Sequence, residues 1–221
     1  MQASEFITDF IPPLKLSDKV SLALAWMEEI RTAVLPVVDQ GKFLGFVRDE
    51  VILDLNDLGL TIAEIELDGL DCKVYGDQHV YEILKAGAEN GFNAVAILNR
   101  EDIYQGVVTI EDSLTAFAES LSIQATGSVL VLSMEMTDYS LSEIARLVET
   151  ENGKILSSII SSDPLDSSKI KLTLKIDQPE LRHIKATLER FGYKIIDHFE
   201  EEAGISSEED RIGNLLRFLD I

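Results

Sequence analysis

The sequence predicts an α+β protein in two parts: a duplicated helix–strand–turn–strand–helix unit, then a unit whose elements run β-α-β-β-α-β. Three observations predict this. The stretches Val20-Ser21-Leu22-Ala23-Leu24-Ala25-Trp26, Ala33-Val34-Leu35-Pro36-Val37-Val38-Asp39 and Gly45-Phe46-Val47 recur about 60 residues later. They return as Val80-Tyr81-Glu82-Ile83-Leu84-Lys85-Ala86, Asn93-Ala94-Val95-Ala96-Ile97-Leu98-Asn99 and Gly106-Val107-Val108. A unit so small cannot bury both faces of its strands alone, so the two copies must pack together. Beyond Ser122-Ile123-Gln124-Ala125-Thr126-Gly127, a small and polar boundary, strands and amphipathic helices alternate in a new order.

In the first copy Ser17-Asp18 offers an N-cap to a helix carrying Val20, Leu22, Leu24, Ala25 and Met27. Leu35 to Val38 reads as a short buried strand, Asp39-Gln40-Gly41-Lys42 as its hairpin turn, and Phe43 to Val47 as the strand pairing back. A second helix runs from Asp49 through Leu55, and Asn56-Asp57-Leu58-Gly59 ends the copy. The second copy repeats the plan with a longer turn, Asn99-Arg100-Glu101-Asp102, and a helix from Ile110 to Ser120.

The last part opens with a strand from Ser128 to Met136. Ser140 or Ser142 caps a helix through Glu149 with Leu141, Ile144, Ala145 and Val148 on its apolar face, and Asn152-Gly153 ends it. Ile155 to Ser161 and Ile170 to Ile176 alternate as paired strands around the turn Ser162-Asp163-Pro164-Leu165-Asp166. Pro179 opens a helix carrying Leu181, Ile184 and Leu188, Gly192 closes it, and Tyr193 to Phe199 is the last strand. This order is that of the ferredoxin-like split βαβ motif. The expected division is 1–62 and 63–122 for the copies, 128–199 for the βαββαβ unit and 200–221 for an acidic connector with a short C-terminal helix.

Composition narrows the function. The chain has 221 residues, 46% of them hydrophobic, which is enough for one large or two small cores. With 19 basic and 40 acidic residues the net charge is −21, which argues against nucleic-acid partners and anionic membrane surfaces. A small nucleotide is not excluded, because beyond a Debye length of about 8 Å only local residues matter. No apolar run reaches the roughly 18 residues of a membrane span. The start, Met1-Gln2-Ala3-Ser4-Glu5, lacks a basic secretory n-region, and the single Cys72 fits a reducing compartment; a cytoplasmic location is expected.

The duplicated part resembles a CBS-domain pair (a Bateman module). The resemblance is carried by Leu35-Pro36-Val37-Val38-Asp39 with Gly45-Phe46-Val47, and by Gly106-Val107-Val108-Thr109-Ile110-Glu111-Asp112. The last part resembles an ACT domain through its strand, Thr137-Asp138-Tyr139-Ser140-Leu141, helix and Asn152-Gly153-Lys154-Ile155. The tandem order is similar to that of acetoin-utilisation CBS–ACT proteins. The resemblance implies an adenosine-containing effector (AMP, ADP, ATP or S-adenosylmethionine) in a cleft between repeats. It sets Thr109 on the phosphate side and Asp112 on the ribose hydroxyls, with adenine near Pro12, Thr32 and Ala33. A carboxylate at a helix start is stabilised there, and charged hydrogen bonds are worth about 1.5–3 kcal/mol each. Thr-x-x-Asp is equally an ordinary N-cap pattern.

Each part departs from its family. The first copy reads Val47-Arg48-Asp49-Glu50-Val51, with Arg48 for the threonine and Val51 for the aspartate. Valine cannot accept a ribose hydroxyl, so that cleft is expected to be silent, unless Arg48 reaches across to ligand phosphates. The ACT-like loop, Asp138-Tyr139-Ser140, lacks the glycine that lets backbone approach an amino-acid effector. Dimerisation is therefore its leading expected role; Asp138 is a helix cap or a ligand contact.

Other chemistry is thin. His79, His183 and His198 are scattered without metal spacing, and no Gly-rich phosphate loop or activated nucleophile occurs. Neither catalysis nor a catalytic cofactor is expected. In the tail, Ile212, Leu215, Leu216 and Leu219 share one helical face, too short to stand alone. The expected function is a homodimeric regulatory sensor acting on an unspecified protein target. Its rivals are an interaction protein with empty clefts, and amino-acid sensing through the ACT-like unit.

Overall fold

Each copy of the repeat folds around one antiparallel hairpin. The computed structural model describes residues 1–55 and 57–200, so Asn56, the acidic connector beyond Glu200 and the C-terminal amphipathic stretch lie outside the described residues. The chain divides into one unit covering Met1–Phe117 and a second from Ala118 onward.

In the first unit, helix α1 (Val20–Ile30) leads into β1 (Val34–Asp39), β2 (Lys42–Arg48) and the short α2 (Asp49–Leu53). A strand the sequence did not suggest, β3 (Lys73–Tyr75), precedes α3 (Val80–Asn90), β4 (Ala94–Leu98), β5 (Tyr104–Thr109) and α4 (Ile110–Ser120). Gln40 and Gly41 both take positive φ, 48° and 81°, as a two-residue hairpin matching the strand twist requires. Helices α1 and α3 end alike, on left-handed Arg31 and Gly91, φ 56° and 67°.

The hairpins repeat in register. Val37 pairs with Gly45 and Ile97 with Gly106, each just before a bulge. Leu14 runs parallel to Val37, and Val74 parallel to Ile97. The leading segments then cross: Thr8 bridges Val107 of the second copy, while Asp68 bridges Phe46 of the first. One core gathers Phe43, Phe46, Val95, Ile97 and Val108, so the copies share a common interior. A second surrounds Leu35, Val37, Val47, Ile52 and Ile62.

The second unit holds β6 (Ser128–Glu135), α5 (Leu141–Thr150), β7 (Ile155–Asp163), β8 (Asp166–Ile176), α6 (Arg182–Arg190) and β9 (Lys194–Phe199). The sheet order β7-β8-β6-β9, antiparallel throughout, is that of the split βαβ fold. Leu130, Leu132 and Met134 of β6 and Leu172, Leu174 and Ile176 of β8 alternate inward onto Ile144, Leu147, Ile184 and Leu188 of the helices. Thr187 donates to Glu151 Oε1 at 2.6 Å, tying α6 to the end of α5.

Three boundaries differ from expectation. Asp18 does not cap α1: its carboxylate accepts from Lys15 N at 2.7 Å, and Lys19 occupies the cap position without a side-chain bond. The helix after Pro179 starts only at Arg182, with Leu181 N bonded to Glu200 Oε1. The β7–β8 turn is only Pro164-Leu165, since Asp163 still pairs with Asp166; their carboxylates accept from Leu165 N and Ser168 N. Of the two serines proposed to cap α5, Ser140 does so, accepting from Glu143 N at 3.4 Å.

Candidate functional site

The last residue of β5 and the first turn of α4 carry the Thr-x-x-Asp pair. Thr109 Oγ1 donates to Asp112 Oδ2 at 2.6 Å and accepts from Asp112 N at 3.0 Å, closing the N-terminal cap. Buried Ser113 bonds back to Thr109 O at 2.9 Å and fixes the turn. Asp112 is exposed and Thr109 half-buried, so the cap leaves the carboxylate facing solvent. Both proposed roles of the motif are thus compatible in one geometry: the threonine orients the carboxylate that a ligand would meet.

The other sequence-predicted residues lie along the first copy's leading segment and at the foot of β1. Thr32 follows the left-handed end of α1, its hydroxyl donating to Val34 O at 3.1 Å. Ala33 O accepts from Asp49 N, as Asn93 O does from Ile110 N in the second copy. The segment from Thr8, paired to β5 two residues before Thr109, to Leu14, paired to β1, carries half-buried Pro12 between the hairpins. Thr8 was missed by the motif reading; extending the repeat to the bridges Thr8–Val107 and Asp68–Phe46 finds it.

That register makes Thr8, Pro12, Thr32, Thr109 and Asp112 the counterparts of Asp68, Cys72, Phe92, Arg48 and Val51. In the second set the side chains meet. The Arg48 guanidinium lies over the Phe92 ring, 3.8 Å from its centroid, and Arg48 Nε donates to Asp68 Oδ2 at 3.2 Å. Cys72 is buried beside them: desolvation pushes its thiol up to about 11, with the Arg48 charge opposing and the Asp68 charge adding. Arg48 is therefore engaged by Asp68 and Phe92 in this structure.

Cavities among the described residues lie elsewhere. One of about 460 Å³ at the first hairpin is lined by Lys15, Ser17, Asp39 and Gln40, and does not border Thr109 or Asp112. In the second unit, a cleft of about 530 Å³ is lined by Glu135, Asp138, Glu143, Lys169, Phe191 and Tyr193. Tyr139 packs on the hydrophobic core and does not line that cleft. Lys169 Nζ is bonded to Asp166 Oδ2 at 2.6 Å, leaving the cleft predominantly acidic. Asp138 caps no helix: it ends the 3-10 turn before Tyr139.

His79 caps α3, Nδ1 accepting from Tyr81 N, while His183 and His198 are exposed. Among the described residues no group of three His, Cys, Asp or Glu is placed to hold a metal ion, and no helix is long and apolar enough to cross a membrane.

The chain matches no protein-family model and no curated protein. Among solved structures it is similar to a CBS domain pair/ACT domain protein from Thermotoga maritima, 27% identical with a TM-score of 0.50, all of which (100%) is matched by 55% of this chain. More distant are the CBS domains of a transcriptional regulator from Streptococcus pneumoniae, 19% identical over 52% of this chain and 98% of that one, TM-score 0.48. Another is CBSX2 in complex with AMP, 20% identical over 53% and 96%, TM-score 0.46. These neighbours are CBS domain pairs, and the Thermotoga likeness supports a CBS-pair module here. The βαββαβ unit rests on its own topology.

Proposed function

We propose that the protein is a non-catalytic regulatory sensor whose CBS pair binds an adenosine-containing ligand at Thr109 and Asp112, and whose ACT-like unit joins two copies. The observation that carries the reading is the oriented carboxylate of Asp112, held by Thr109 at 2.6 Å at the start of α4. Across the cleft by register stand Thr8 and Thr32, hydroxyls suited to phosphate or ribose oxygens, with Pro12 and backbone near Ala33 for the adenine. The net charge of −21 is no obstacle, because the contacts are short and local. Ligand seated across two copies favours one arrangement of them and so transmits a signal.

Thermal unfolding with AMP, ADP, ATP, S-adenosylmethionine and cyclic dinucleotides tests this. A ligand at 100 times its Kd adds about 2.7 kcal/mol, a shift of several degrees. Asp112→Ala should lose most of that shift. No shift with any adenine compound sinks the sensor reading in favour of an interaction protein with empty clefts.

Dimerisation through the ACT-like unit is supported by its edge strand β7, where Ile159 and Ile160 are 40% and 43% exposed. An unprotected apolar edge is a template for pairing. Ile160→Lys should convert a dimer to monomer in sizing experiments; an unchanged elution volume moves the interface elsewhere. Amino-acid sensing is disfavoured by the acidic cleft of Glu135, Asp138 and Glu143, which opposes an effector carboxylate.

A further inference from the structure

The two clefts of the repeat pair are built from equivalent positions, yet only one is lined by small hydroxyl side chains. In the other, two of the replaced positions engage the Arg48 side chain. Phe92, where the first cleft has Thr32, supplies a ring face 3.8 Å from the guanidinium carbon. Asp68, where the first cleft has Thr8, supplies a carboxylate 3.2 Å from Nε.

Both partners are also held by contacts other than the guanidinium. Asp68 exchanges backbone bonds with Phe46, 2.6 Å from Phe46 N to Asp68 O and 2.9 Å in return. Its Oδ1 accepts from Gly69 N at 2.7 Å, which leaves Oδ2 aimed at Arg48. Gly69, at φ 68°, yields the space the ring needs: a Cβ there would stand 2.5 Å from Phe92 Cζ. Phe46 braces the ring on another side, centroids 5.1 Å apart. A planar cation between an aromatic face and a carboxylate is the arrangement by which guanidinium ligands are recognised.

We propose that the cleft bordered by Arg48, Asp68, Cys72 and Phe92 is a guanidinium-binding site occupied in cis by Arg48, so that the chain's own side chain takes the place a ligand takes in the opposite cleft. One cleft of the pair is then permanently filled and clasps the two copies, since Arg48 belongs to the first and Phe92 to the second. The remaining cleft is the single variable site.

Removing the side chain and supplying its head group separately tests this without reference to nucleotides. Arg48→Ala should unfold several degrees below the parent chain. Methylguanidinium at millimolar concentration should raise its midpoint saturably, while methylammonium at equal ionic strength should not, and neither should stabilise the parent. Arg48→Ala combined with Phe92→Leu should lose the rescue. An Arg48→Ala chain as stable as the parent, or a response equal for both cations, overturns the proposal.

Should Arg48→Ala not fold, the parent chain itself decides by NMR. The Arg48 Nε–H should be shifted by the Phe92 ring current and slow to exchange; the shift should vanish in Phe92→Leu and the slow exchange in Asp68→Ala. An Nε–H resonating and exchanging like that of an exposed arginine overturns it equally. Loss of the nucleotide reading leaves these outcomes untouched, because no adenine compound enters either arm.

Discussion

Asp112 receives the Thr109 hydroxyl on one carboxylate oxygen at 2.6 Å and returns its backbone N–H to the same hydroxyl at 3.0 Å. The two halves of this exchange do different work and separate by mutation. Thr109→Ala removes a cap and should cost about 1 kcal/mol of stability. Asp112→Ala keeps the Thr109 acceptor and should cost less, while abolishing the ligand-induced shift. Thr109→Ser should keep both. Calorimetric titration alongside thermal melts checks the set; equal loss of binding and stability in all three would make the motif a cap alone.

Gly69 should tolerate no side chain. Its φ of 68° is already unfavourable for alanine, and the added Cβ would meet the Phe92 ring at 2.5 Å. Gly69→Ala should destabilise by about 2–3 kcal/mol. Gly91→Ala, at φ 67° but with no atom of the described residues within 4 Å of the new Cβ, should cost only about 1 kcal/mol. Urea unfolding of both variants measures the difference, which is the contribution of the Phe92 contact.

The hydroxyl of Tyr104 is buried with no hydrogen-bond partner among the described residues, and burial pushes its ionisation well above that of an exposed phenol. Its ring stacks on Phe43, centroids 6.3 Å apart, and needs no polar tip there. Tyr104→Phe removes an unsatisfied donor and should stabilise the chain by about 1 kcal/mol. A destabilised variant would reveal that the hydroxyl finds a partner in solution.

Cys72, fully buried with its thiol pushed up to about 11, should be inert to disulfide reagents at pH 8 in the native protein. Its folded pKa lies above the unfolded one, so its contribution to stability is complete below the unfolded pKa and is lost as pH rises through about 11. Labelling should therefore track global opening. Rapid modification of the folded chain would place the thiol outside the core.

In the β7–β8 hairpin, Lys169 and Ser168 hold the Asp166 carboxyl down at about 2. The sign is that of a depressed acid: its contribution is present above the unfolded value and disappears as pH falls through about 2. An NMR titration of the side-chain carboxyl should give a midpoint near 2, moving up toward the ordinary carboxylate range in Lys169→Met. A normal midpoint in the parent would mean that the pair does not persist in water.

Much of the fold was legible because its signals are local. The strand β4 and the helix Ile110–Ser120 follow from apolar runs and turn residues within a few positions of each other. Asp18 misled because an N-cap residue also bonds well in a preceding turn, and the choice depends on where Lys15 N lies. β3 was not legible: three residues carry no period, and only parallel pairing with β4 makes them a strand.

By itself the sequence determined the duplication, the split βαβ order, and the presence of Thr109 and Asp112 in one copy with Arg48 and Val51 in the other. Those are matters of periodicity and identity, readable along the chain. Only the tertiary structure decided what Arg48 meets, because its partners stand 20 and 44 positions away: Asp68 is brought to it by the crossed pairing of the leading segments and Phe92 by the turn after α3. Whether a long cation reaches toward a ligand or is held within the fold depends on where a ring and a carboxylate are fixed in space, and sequence spacing carries no such information.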